Sequence, residues 1–403
     1  MTNRRVLIVG ASIAGPALAW WLRHHGFTVT VVERASALRP GGYKIDIRGA
    51  AIDVVEQMGL KEQLEGLETD MQVMSFVNKA GKRLASVPAD LFMGRGEADL
   101  EVMRGDLSRI LYDATRADVE YIFGDTVVGV DQADGTVTFK NGEPRTFDVV
   151  VGADGLHSVV RELTFGAEQE FVNDLGHLVS IGTVPNHLGL DRQELIYSAP
   201  GRTLNLYSTG KGHDAKALFL FTAPGLTYDR HDVQAQQRIL DEAFRGAGWE
   251  TDLLLDEIAR ADDFYFDTVS QVGLKRYGEG RVSLVGDAAY CPSFASGQGT
   301  SLALVGAYVL AGELAKADHP EAFAAYERTM RPFVERNLQL GRDNLGRMVS
   351  KSAFQSWIGA ALMRVLPKLP GKDSMIEKMT KPIHDAARAI DLPQYRTAAD
   401  DHL

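Results

Sequence analysis

The sequence predicts an α/β fold: a Rossmann-like domain assembled from separated segments, a mainly antiparallel β-sheet substrate layer (the α+β part), and C-terminal helices. Three observations predict it. Residues 5–33 read as strand, tight turn, helix, strand; residues from about 169 to 270 read as mainly β; and the chain then returns to a buried strand, a glycine-rich loop and an apolar helix. Similar features on both sides of a β block require distant segments to share one domain.

Val6 to Val9 are all apolar or β-forming, Pro16 to His25 has helical spacing, and Thr28 to Val32 alternates into a second strand, which together make a βαβ unit. Two arginines before the apolar run resemble a signal peptide, but Gly, Ser, Gly and Pro break the run at once, so it reads as a buried strand. Ala50 to Met58 and Asp106 to Ala114 read as amphipathic helices, the second with Asp106 as N-cap. Gln72 to Val87 reads as a hairpin around Ala80-Gly81. Short strands follow from Glu120 to Val151, with Asp134-Gly135 and Asn141-Gly142 as turns and Asp148 to Gly152 as the closing run. In the β block, Leu178 to Val184, Glu194 to Ser198, Thr203 to Ser208 and Ala217 to Thr222 are the expected strands. Val282 to Val285 is the returning strand, Leu302 to Leu314 its helix, and the chain from Pro320 on reads as helical. Residues 1–70, 98–168 and 270–340 are therefore assigned to the Rossmann-like domain, 71–97 and 169–269 to the β domain, and 341–403 to a C-terminal helical segment.

A formal charge of −11 argues against nucleic acid or an anionic membrane as partner, because either requires a basic face. No run approaches the roughly 20 apolar residues of a membrane span. A single cysteine, Cys291, rules out an internal disulfide framework and suits a reducing cytoplasm. No histidine pair has metal-ligand spacing on a recognisable helix, so no metal is expected.

Two constellations carry chemistry. Gly10-Ala11-Ser12-Ile13-Ala14-Gly15 lies between strand and helix, and Glu33 ends the second strand. Small residues let the backbone approach a pyrophosphate, amides at the helix N-terminus meet its charge, and the acid binds an adenosine ribose. Ser12 replaces the usual middle glycine, which requires either a negative φ there or a more distant phosphate. A plain βαβ turn, with Glu33 a solvated strand-end charge, is the competing reading. The second constellation is Gly286-Asp287 after a buried strand, followed by Gly297-Gln298-Gly299 before an apolar helix. The carboxylate can accept hydrogen bonds from a polyol chain, and a glycine-rich helix start places amides beside developing negative charge, as a reduced flavin requires. Asp287 as a helix cap beside a simple loop is the alternative.

These residues, with Asp154-Gly155 in the segment Val149 to Arg161, resemble the three fingerprints of the group A FAD-dependent monooxygenases of the aromatic-hydroxylase type. Residues 41–49 and Arg104-Gly-Asp-Leu make the chain most similar to the tetracycline-inactivating and related antibiotic-modifying members. The resemblance implies FAD as prosthetic group, with Gly10 to Gly15, Glu33 and Arg34 holding its ADP half. It places Arg104 at the ribityl or pyrophosphate region, Val127 at the adenine through its backbone, and Asp287 at the ribityl hydroxyls. Asp154 and Arg161 would serve FAD and a transient NADPH or NADH; Gly297, Gln298 and Gly299 would flank the isoalloxazine, with Asp46 and Arg48 near it. Helix-end salt bridges are the alternative for Arg104 and Arg161, and solvated strand positions for Asp46 and Arg48. His177, Tyr197, Tyr207 and Phe219 are candidates for the substrate cavity, equally readable as outward or core positions.

The implied reaction is hydride transfer to FAD, dioxygen addition at flavin C4a, and hydroxylation of an aromatic or polyketide-like small molecule. No protein acid or base is assigned. The family commonly has His where Tyr290 stands, and its proline ahead of the Gly-x-Gly is here shifted to Pro292, with Phe294 closer in, so a differently shaped flavin face is expected. A flavin oxidase or reductase without oxygen insertion and a non-catalytic flavin- or ligand-binding protein are the competing functions, and oligomeric state is left at monomer or homodimer.

Overall fold

The computed structural model describes residues 4–39, 41–209, 214–365 and 372–395. The chain opens with strand Arg5–Val9, helix Ala14–His24 and strand Thr28–Glu33. Val6, Leu7 and Ile8 are wholly buried, which is why an unbroken apolar run encodes this strand: a central parallel strand has no solvent face. Arg5–Val9 pairs in parallel with Thr28–Glu33 on one side and Val149–Gly152 on the other. The complete six-stranded sheet runs Gly278–Glu279, Val282–Leu284, Val149–Gly152, Arg5–Val9, Thr28–Glu33, Glu120–Phe123, and only its first two strands are antiparallel to each other. Three stretches distant in sequence thus meet in one sheet.

A second, seven-stranded sheet runs Tyr265–Val272, Val172–Pro185, Asp214–Thr222, Arg202–Ser208, Gln193–Ala199, Val73–Val77, Arg83–Pro88. Its neighbours are antiparallel except Gln193–Ala199 with Val73–Val77. Alternation gives the sheet two faces. Leu204, Leu206 and Phe219 pack on helices Val233–Phe244 and Thr251–Ile258, while Val179, Ile181, Tyr207, Leu218 and Leu220 belong to a cluster on the other side.

Sequence patterning reads residues 169–270 as mainly β, and the structure adds those two helices. Their apolar stripe is thin: Val233–Phe244 buries only Gln236, Leu240 and Phe244. Also beyond the sequence reading is an antiparallel pair, Lys44–Ile47 with Leu100–Met103, which sets Asp46 opposite Glu101. Asp106 is not an N-cap; the helix begins at Arg104, with Met103 at the cap, and Asp106 faces the positive helix end from inside the first turn. The returning strand leads into helix Gly299–Lys316, followed by helices His319–Met348, Ala353–Val365 and Lys372–Ala387. Of the expected C-terminal segment, residues 366–371 and 396–403 lie outside the described residues. No helix among the described residues is long and apolar enough to cross a membrane.

Candidate functional site

A cavity of about 1770 Å³ lies between the two sheets. One wall is made where the parallel strands end: Val9 and Gly10, Val32 to Ala35, Ala153 to His157, and Asp287. The opposite wall is the inner face of the seven-stranded sheet, through Val179, Ile181, Ile196, Asn205, Leu218 and Leu220. Ligands of open α/β sheets bind at the carboxyl ends of the strands. The volume exceeds the roughly 300–1,000 Å³ of an ordinary ligand pocket, so an extended dinucleotide and a second small molecule fit together.

The first turn fits a pyrophosphate. Gly10 has φ +110°, and a Cβ there would lie 2.5 Å from the Ala153 carbonyl oxygen; a Cβ at Gly15 would lie 1.9 Å from the Gly10 oxygen. Helix Ala14–His24 has no side-chain cap and no acidic residue in its first turn, so its N-terminal amides remain open toward the cavity. Ser12 is absent from the residues with positive φ, and its hydroxyl accepts from Arg104 Nη2 at 2.7 Å. The serine therefore serves as a tie to the neighbouring helix. Glu33 accepts from the Ala11 and Ala35 amides at 2.9 and 2.8 Å, leaving lone pairs for a ribose. Helix Gly299–Lys316 also starts without a side-chain cap, beside Gly297, Gly299 and Thr300 of the wall.

Of the residues expected at the cofactor, Gly10, Ala11, Ser12, Ile13, Ala14, Glu33, Arg34, Asp46, Arg48, Arg104, Asp154, Asp287, Gly297 and Gly299 line this one cavity. Gly15, Val127, Arg161, Gly286 and Gln298 do not. Gly286 packs against Ala14 and Ala303, letting two helices approach. Val127 is buried in its strand, and its neighbour Thr126 reaches the wall instead. Arg161 is fully buried, donating to the Ala288 and Leu156 carbonyls at 3.0 and 2.6 Å, so it braces the loops behind the wall. Gln298 is fully buried with no partner for either side-chain amide atom. Tyr197 and Tyr207 border the cavity; His177 and Phe219 do not.

Electrostatics separate the two aspartates from the rest. Asp287 faces the cavity with protein around it, and burial raises its carboxyl above the usual range, partly opposed by Arg104. Burial also raises Asp154, opposed by Ser158 and the Val160 and Val159 amides at the start of helix Val159–Phe165. Of the family departures, Pro292 and Phe294 are at the wall, Phe294 edge-on to Tyr43 at 6.4 Å. Tyr290 points into the core and bonds Tyr326 at 2.8 Å, so it does not shape the cavity.

Sequence reading missed the charged stretch of wall. Lys44 pairs with Glu194 at 2.7 Å and Glu101 at 3.5 Å; Arg95 joins Glu101 to Asp46, which Arg48 also holds at 2.9 Å. Asn205 donates to Glu194 at 2.7 Å. Burial would raise Asp46, but Arg48 and Arg95 outweigh it and lower its pKa; burial would lower Lys44, but Glu194 and Glu101 outweigh it and raise its pKa. Asp46 and Arg48 are thus buried partners rather than solvated strand residues. The i, i+2 alternation of polar Glu194 and of Asn205 with Tyr207 within apolar strands was the available signal.

Comparison with known proteins agrees with this geometry. The family described as FAD binding domain matches residues 3–340. A flavin-dependent monooxygenase from an unknown prokaryotic organism is 36% identical over 397 residues, 97% of this chain and 98% of that protein. The crystal structure of tetracycline destructase Tet(55) superposes with TM-score 0.84 at 37% identity, covering 98% of this chain and 99% of that one. Klebsiella pneumoniae HpxO complexed with FAD and uric acid, TM-score 0.75 at 20% identity over 97% and 98% of the two chains, shares the fold.

Proposed function

This chain belongs to the FAD-binding-domain family and is a flavin-dependent monooxygenase, and from that premise we propose that it hydroxylates an aromatic or polyketide-like small molecule with NADPH or NADH and dioxygen. The observation that carries the reading is the single cavity, which joins an uncapped helix start and Asp287 to an apolar sheet face. Bound there, the flavin would take a hydride from the nicotinamide and activate dioxygen for transfer of one oxygen atom to an electron-rich ring.

In this reading the residues from Gly10 to Ala14 hold the pyrophosphate, Glu33 the ribose, and Asp287 the ribityl chain, with Arg104 fixed beside them by Ser12. Gly297 and Gly299 line the cavity, and their amides would meet the negative charge that develops on the bound flavin. Met74, Leu218 and Leu220 supply apolar surface against a polycyclic substrate and exclude water. The likeness to a tetracycline destructase supports a fused-ring polyketide as substrate class. Only one Rossmann-type sheet occurs among the described residues, which supports a transient visit by the nicotinamide.

Anaerobic mixing of the FAD-loaded protein with NADPH, then NADH, in the presence of tetracycline tests the first half: the flavin band should bleach. Labelled dioxygen tests the second half. Label in the product is expected; stoichiometric peroxide with no label would assign an oxidase instead.

A further inference from the structure

Methionine is unevenly spread over the molecule. Of the 11 methionines in the chain, Met74, Met93, Met348, Met363 and Met379 line the cavity. Met74, Met93, Met348 and Met363 pack in one apolar cluster with Phe294 and Ala295, from the loop that leads to Gly297. They arrive from four separate elements: strand Val73–Val77, helix Ala89–Met93, the end of helix His319–Met348, and helix Ala353–Val365. The fold thus gathers four thioethers beside the loop proposed to flank the flavin. Methionine suits such a wall because it is apolar and pliable, yet its sulfur lone pair reacts with peroxide. Cys291 borders the same cavity, but burial pushes its thiol well above the usual range, so the reactive thiolate is scarce. A thioether needs no deprotonation.

We propose that Met74, Met93, Met348 and Met363 form an oxidative modification site, through which enzyme turning over without substrate closes its own cavity to apolar ligands. The oxidant is hydrogen peroxide, which reduced flavin yields from dioxygen when no substrate takes the oxygen; the proposal thus rests on the monooxygenase reading. A sulfur lone pair attacks one peroxide oxygen, the O–O bond breaks, and an S–O bond forms. The thioether is oxidised to a sulfoxide, the peroxide is reduced, and its second oxygen leaves as water with both protons. Each sulfoxide sets a polar, chiral group into a wall built from Val179, Ile181, Leu218 and Leu220. A sulfoxide oxygen with no donor there is costly, so the cluster loosens and an apolar ring loses its fit. Bound substrate both consumes the oxygen and covers the sulfurs, so the modification falls on idle enzyme.

The test turns over FAD-loaded full-length protein with NADPH and isotopically labelled dioxygen, with excess catalase and no substrate, and locates labelled sulfoxide by peptide mass spectrometry. Catalase removes peroxide that reaches bulk solvent, so only oxidation inside the cavity survives it. Met348 and Met363 should be labelled before Met375, which is 40% exposed but stands outside the cavity. Peroxide added to resting enzyme without catalase should give the reverse order. Met58 and Met330, buried away from the cavity, should stay unlabelled, and retained flavin absorbance reports folding. Affinity for naphthalene should fall about tenfold as label accumulates, the scale of one unpaired buried polar group. The double variant Met348→Leu with Met363→Leu, a volume-conserving change, should keep its own starting affinity through the same treatment. Labelling that catalase abolishes, or Met375 labelled as early as Met348, overturns the site. Unchanged naphthalene affinity in labelled protein, or failure of untreated protein to bind naphthalene, overturns the closure. Reducing the flavin with dithionite and then admitting air repeats the test without nicotinamide, so label in that arm alone strikes only the nicotinamide reading. A protein that holds no flavin strikes the monooxygenase reading itself.

Discussion

At Gly10 the backbone has φ +110° and the Ala153 carbonyl lies where a Cβ would project, so the turn admits no side chain. Gly10→Ala should cost on the order of 1–3 kcal/mol of local strain and displace the loop that holds the pyrophosphate. The flavin-to-protein absorbance ratio after gel filtration measures it, and a ratio equal to wild type would show that the loop is not a cofactor contact. Tyr290 makes the opposite case. It occupies a fingerprint position, yet its hydroxyl donates to Tyr326, which in turn donates to the Leu284 carbonyl. Tyr290→Phe should lower unfolding free energy by about 1 kcal/mol and leave the bound flavin spectrum and its reduction rate unchanged. A spectral shift without loss of stability would return the residue to the cavity. Motif position alone could not separate these roles, since one short helix, Asp287–Tyr290, turns Asp287 toward the wall and buries Ala288, Ala289 and Tyr290.

At the scale of elements, the strand Lys44–Ile47 is joined to the seven-stranded sheet by charge rather than by a shared ladder. Lys44 reaches Glu194 on strand Gln193–Ala199, and its backbone amide donates to the Tyr207 hydroxyl at 3.1 Å. Glu194 is 2% exposed. Lys44→Met would leave that carboxylate with Asn205 alone and should destabilise by about 3–5 kcal/mol, the usual consequence of removing one partner of a buried pair. Lys44→Met combined with Glu194→Gln should recover most of the loss, because the unpaired charge is gone. Chemical denaturation of the single and double variants reads the difference, and an additive double variant would show that the pair is not coupled. Nothing in residues 41–49 signals this pairing, because a lysine at a short strand's start is ordinarily solvated and its partner is 150 residues away.

For the whole molecule, two titrations at the cavity act on stability from opposite ends of the pH scale. Asp46 is lowered in the fold, so its contribution is complete above the unfolded value of about 3.9 and is lost as pH falls through the folded value. His157 is raised, so its contribution is complete below the unfolded value of about 6.5 and is lost as pH rises through the folded value. These two groups therefore support the fold fully between about pH 4 and 6.5. Melting of wild type and His157→Gln should differ most at pH 6 and converge in alkali, whereas a difference that grows with pH would reverse the assignment. Both groups sit where the two sheets face each other, so the same titrations bear on how the cavity walls are held together.

The sequence by itself determined the α/β class, the opening βαβ unit and the three fingerprints, because each is written in local pattern: an unbroken apolar strand, a glycine turn, an acid at a strand end. It placed most of the proposed cofactor residues on what became one cavity wall. Only the tertiary structure decided which fingerprint residues stand behind that wall, as Arg161, Gly286 and Gln298 do, and which residues complete the opposite side. Lys44 with Glu194, and His157 with Asp267, are partners across 150 and 110 residues. A charge in a sequence does not state whether it meets water or another charge; burial between two sheets settles that, and burial is a property of the assembled chain.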